Sequence, residues 1–129
     1  MQIKLSVLLV SDQDKALDFY TNIVGFTKTA DVNLGPMRWL TLASPEGAHG
    51  VELLLEKTDF PPAQTYQKAR YDAGIPIVSF TSNDIHAEYD RLKKKDVKFR
   101  GEPSDLGPIL SAVFEDGCGN LVHLVQPKA

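Results

Sequence analysis

A chain of 129 residues with net charge −3, 43% hydrophobic and 24% charged, has the make-up of one compact globular domain rather than of a disordered or fibrous chain. No apolar run approaches the roughly 20 residues that span a bilayer, and outside Lys93-Lys94-Lys95 the basic residues are scattered, so neither a membrane nor a nucleic acid is an expected partner. The single cysteine, Cys118, cannot form an internal disulfide and reads as a turn residue.

Residues 1–4 lead directly into a strand pattern without the apolar core and cleavage site of a secretory signal, so the cytoplasm is the expected location. Residues 3–10 read as a strand that is apolar on both faces and hence well buried. Asp12 is placed to cap a helix whose apolar positions are Ala16, Leu17, Tyr20, Ile23 and Val24, with Gly25 as its stop. Three further strands are predicted over 26–32, 38–43 and 51–56, which gives the order βαβββ. Residues 58–74, opening on Pro61-Pro62, read as a linker with a short helix around Tyr66, Ala69 and Tyr71. The plan then repeats. A strand over 75–81 is followed by Asp84 as cap, a helix striped by Ile85, Tyr89 and Leu92, and strands over 97–100, 109–115 and 121–125.

The two halves echo each other at fixed spacing. Leu34-Gly35-Pro36 recurs as Leu106-Gly107-Pro108, and Asp12 recurs as Asp84, each 72 residues on (106 − 34 = 72; 84 − 12 = 72). The expected fold is α+β: two tandem βαβββ modules, about 1–57 and 75–127, in a single domain.

The strand ending Val10-Ser11-Asp12, the helical Ala-Leu-Asp-Phe-Tyr at 16–20, the Gly25-Phe26 exit and the Asp-Gly-Cys-Gly-Asn stretch at 116–120 leading to Leu124 together resemble the vicinal-oxygen-chelate superfamily. That group includes glyoxalase I, extradiol dioxygenases, fosfomycin-resistance transferases and bleomycin-binding proteins. The resemblance covers nearly the whole chain and implies a curved eight-stranded mixed sheet around a central cleft, a small-molecule ligand and a homodimer. It does not select a reaction, because one scaffold hosts many chemistries.

Metal-using members place one ligand on the first and one on the last strand of each module. Carried onto this chain, the first-strand positions are Leu5 and, 72 residues later, Ile77, neither of which can bind a metal. The last-strand positions are Glu52 and His123, which can. Two donors completed by water make at most a weak, exchangeable divalent-ion site, whereas catalytic zinc usually has three protein ligands. No cofactor is therefore expected, and any metal would sit on Glu52 and His123. Glyoxalase I also often carries an arginine four residues past its first ligand; Leu9 stands there in this chain.

Strand alternation sets Glu52 and His123 opposite their apolar neighbours, on the expected cleft face. They are candidates for general acid–base work or for hydrogen bonding to a ligand; the alternative is a structural polar cluster with each other or with Arg38. Arg38 and Trp39 are adjacent, so one faces the cleft and the other the helices, and the sequence leaves open which. Arg38 would clamp an anion there and Trp39 would stack on a flat ligand. Leu5 and Ile77 complete the expected apolar lining. The expected function is binding or transformation of a small organic molecule without a tightly held metal. A metal-dependent lyase or dioxygenase and a non-catalytic interaction module are the alternatives.

Overall fold

The computed structural model describes residues 1–129. In chain order the elements are β1 (Leu5–Val10), α1 (Gln13–Asp18), β2 (Thr27–Leu34), β3 (Met37–Ala43), β4 (Glu52–Lys57), α2 (Pro61–Asp72), β5 (Val78–Thr81), α3 (Ile85–Lys94), β6 (Ser104–Asp105), β7 (Ile109–Glu115) and β8 (Leu121–Pro127). The chain is α+β and divides into two compact units, Met1–Gln64 and Thr65–Ala129. The eight strands pair as two mixed sheets of four, ordered β1-β4-β3-β2 and β5-β8-β7-β6, rather than as one ladder of eight. In each sheet the first and last strands are parallel and the other pairs antiparallel.

Capping follows the sequence repeat. Asp12 accepts a hydrogen bond from the Lys15 N–H and Asp84 one from the Ala87 N–H, both at 3.1 Å, which satisfies donors that a first helical turn leaves free. Beyond Asp18 the first helix widens into a π-helical turn, Phe19–Val24, and ends at Gly25 with φ +104°, a conformation that favours glycine. Tyr20 within it is fully buried and stacks on Phe26.

In the first unit, Leu8, Val10, Leu40, Leu42 and Leu55 are buried on the α1 side of the sheet. The Gln13 side chain reaches from α1 to the carbonyls of Leu55 (2.8 Å) and Arg38 (3.2 Å), where the β3–β4 ladder has stopped. The second unit buries Ile85, Leu92, Phe114, Val122 and Leu124.

Four expectations need correction. The first strand is buried on one face only: Leu8 and Val10 are closed off, while Leu5 and Val7 are 40% and 52% exposed. The linker forms a helix of 12 residues, because Pro61 and Pro62 occupy a first turn that needs no N–H from them. Strand β5 begins only at Val78, after Pro76, which has no N–H to pair. Residues 97–100 do not form a strand. Between Asp96 (φ +63°) and Gly101 (φ +126°) they keep only a short pairing with β7, the Phe99–Phe114 bridge with the Arg100 N–H on the Val113 carbonyl and the Glu115 N–H on the Lys98 carbonyl. The same edge of β7 is continued by β6, where Ser104 and Asp105 pair with Ser111 and Leu110.

Candidate functional site

In the first sheet, Arg38 and Trp39 go to opposite faces, and the ion pairs decide which. The Arg38 guanidinium donates to both Asp31 carboxylate oxygens at 2.9 Å and to Asp14 of α1 at 2.7 Å, so it lies on the helix side. These bonds, first to Asp31 and then to Asp14, raise the Arg38 pKa, and the same contact holds the Asp31 carboxyl below its usual range. Arg38 is therefore neither on the expected ligand face nor a partner for Glu52; its charge is spent on binding α1 to β2 and β3. Trp39, by alternation with Leu40, lies on the other face with Thr41.

That second face carries Glu52. Glu52 is the register partner of Leu5, and Leu54 that of Val7 and Thr41, so the five share a face. A β-bulge between Lys28 and Ala30 frees Thr29 from the ladder. Its hydroxyl donates to Glu52 Oε2 at 2.5 Å and meets the Thr41 hydroxyl at 2.7 Å. The centre of this face is closed, with Thr41 at 1% and Leu54 at 5% exposure, while its rim is open at Leu5, Val7, Val32, Leu34 and Met37.

In the second sheet His123 is held by hydroxyls as well. Its Nε2 lies 2.6 Å from the Ser111 hydroxyl and its Nδ1 3.4 Å from that of Ser79. Ser111 lies two residues along β7 from Val113, the register partner of His123, so it occupies the same face. Ser79 is the register partner of His123 as Leu5 is of Glu52. The 72-residue spacing measured from the caps carries Leu5 to Ile77, but Ile77 lies just before β5, with its N–H on the Leu121 carbonyl. Strand register thus puts Ser79, not Ile77, beside His123.

A pocket of about 310 Å³ adjoins Ser111 and is lined by Arg100, Glu102, Ser104, Val113 and Leu121 among others. At its edge the Tyr71 hydroxyl donates to Glu115 at 2.7 Å and Arg100 Nε to the other carboxylate oxygen at 3.3 Å. The Tyr71 bond, then Arg100, holds the Glu115 carboxyl below its usual range. His49 and His86 are exposed, and Cys118 is buried in the turn between β7 and β8.

The donor set does not fit the three-ligand metal centre of chelating enzymes. No group of three or more His, Cys, Asp or Glu side chains is placed to hold an ion, Glu52 is flanked by Leu5, and the neighbours of His123 are serines. The hydroxyls of Thr29, Thr41, Ser79 and Ser111 had not been singled out in the sequence. Thr41 could have been found, two residues from Trp39 on one strand face, whereas Thr29 depends on a bulge that no pattern announces.

A model of the Glyoxalase/Bleomycin resistance protein/Dioxygenase superfamily matches residues 2–124. The uncharacterized protein YurT of Bacillus subtilis (strain 168) is 48% identical over 126 residues, which is 98% of this chain and 99% of that one. Among solved structures, TnmS3, described as an antibiotic binding protein from Streptomyces sp. CB03234, is 32% identical with a TM-score of 0.78, covering 99% of this chain and 97% of that one. UcmS2 is 29% identical with a TM-score of 0.82 and covers 97% of each chain. Strand order, helix caps and whole-length matches agree, and the chain belongs to the Glyoxalase/Bleomycin resistance protein/Dioxygenase superfamily.

Proposed function

We propose that this protein binds a small organic molecule against the sheet face that carries Trp39 and Glu52, without a tightly held metal, and that it does so as a homodimer. The observation that carries this reading is the composition of that face: one tryptophan and a rim of exposed aliphatic side chains around a carboxylate steadied by Thr29. Small-molecule sites are built in this way, from apolar surface with few polar groups fixed in place. His123 in the second sheet, steadied by Ser111, is a candidate of its own for ligand contact or proton transfer in that unit. The likeness to an antibiotic-binding protein supports a binder of organic molecules over a chelating lyase.

Trp39 is the only tryptophan, so its fluorescence reports on this face alone. In a screen of aromatic compounds, binders should quench it and raise the melting temperature by several degrees at concentrations about 100 times Kd. Trp39→Ala should weaken binding, while circular dichroism shows the fold intact. No quenching and no thermal shift across such a screen would sink the reading. So would stoichiometric transition metal in protein purified without chelator, if it is lost in Glu52→Ala.

A further inference from the structure

The strands of the first sheet sort their charges by face. Strands β1 to β4 contain six charged residues: Lys28, Asp31, Arg38, Glu52, Glu56 and Lys57. Lys28 and Asp31 pair with Leu42 and Leu40, and Arg38 and Lys57 alternate with them or with Leu55, so these four belong to the α1 side. That side carries three cations and one carboxylate. Glu52 and Glu56, register partners of Leu5 and Leu9, belong to the other face, which has two carboxylates and no strand cation. None of the ion pairs of the chain involves either glutamate. By strand alternation Trp39 on β3 and Glu56 on β4 lie on this same face, beyond the end of the Thr41–Leu54 ladder.

We propose that this face takes an apolar, aromatic molecule bearing a protonated amine, a choice that rests on the small-molecule reading above and adds the sign of the ligand's charge. Two independent features agree on that sign. A partly buried carboxylate without a counter-ion gains from a cation and is penalised by an anion. The negative face of an indole ring likewise attracts ammonium groups and repels anions. Glu52 and Glu56 stand four residues apart on one strand, about 13 Å, so they serve separate ends of a ligand rather than one shared cation. The indole of Trp39 on the same face adds to the attraction of the carboxylates for a cation. At Glu52, Thr29 occupies one carboxylate oxygen and leaves the other to accept from the ligand.

A matched pair of probes tests this directly. Titration calorimetry should find 9-aminoacridine, a cation at pH 7, bound about tenfold more tightly than acridine-9-carboxylate, with the difference shrinking as salt rises. Glu52→Gln and Glu56→Gln keep shape and hydrogen bonding, so the one beside the bound amine should weaken the cation several-fold, while the other variant and the anion change little. The double variant should lose the preference. Equal binding of the two probes, or a preference that survives the double variant, overturns the charge assignment and leaves the small-molecule reading standing. If neither probe binds, the charge assignment falls; if Val7→Asp then also dissociates a dimer, the face is a contact between copies and the small-molecule reading falls with it.

Discussion

Glu52 and His123 occupy last-strand positions in their own sheets, and each is tied down by hydroxyl groups rather than by an opposite charge. A hydroxyl steadies a side chain without neutralising it, which preserves its capacity to meet a ligand. Thr29→Val, which keeps shape and removes the donor, should therefore leave stability within about 1 kcal/mol of wild type while weakening ligand affinity several-fold, as read by calorimetry. Arg38 shows the contrary arrangement, a cation fully engaged by Asp31 and Asp14. Asp31 has its folded-state pKa lowered, so its stabilising effect is complete above its ordinary value of 3.8 and is lost as pH falls through the lower folded value. In urea melts, Asp31→Asn should thus be less stable than wild type at pH 7, and the gap should close as pH drops below about 4. Adjacent residues on a strand must oppose each other, but only partners distant in sequence decide which faces where. Asp14, 24 residues from Arg38, made that decision.

At the scale of elements, what was local was legible. Asp12 and Asp84 cap their helices as their spacing suggested, because a cap needs only its own next three residues. Asp12→Ala and Asp84→Ala should each cost about 1 kcal/mol, measurable as a shift in the urea midpoint. Gly25→Ala should destabilise by a similar amount, about 1 kcal/mol, through φ alone, since no atom lies within 4 Å of an added Cβ. What depended on pairing was not legible. Residues 97–100 have an alternating pattern suited to a strand, yet Asp96 and Gly101 in positive φ limit them to one bridge and its two flanking hydrogen bonds, and Ser104 and Asp105 extend the same edge further along. The same limitation shifted the repeat by two residues at β5. Helix caps and strand registers are set by different forces, and a spacing measured on one need not transfer to the other.

At the scale of the molecule, the duplicated plan could be read because it is written twice, whereas the exposure of β1 could not. Leu5 and Val7 look like core residues, and alternation alone does not say that a second face is left open. An exposed rim of Leu5, Val7, Val32, Leu34 and Met37 is the kind of surface that soluble proteins use for ligands or for self-association. Light scattering is expected to give the mass of two chains.

The turn between β7 and β8 encloses the only thiol in a knot of hydrogen bonds. Asp116 accepts from the backbone N–H groups of Cys118 and Asn120, Gln67 of α2 donates to the Cys118 carbonyl, and the sulfur side chain is fully closed to solvent. A thiol reagent can reach Cys118 only when α2 lifts or the turn opens. The rate of its modification in the native protein therefore measures the frequency of that opening, a clock for local unfolding already built into the second unit.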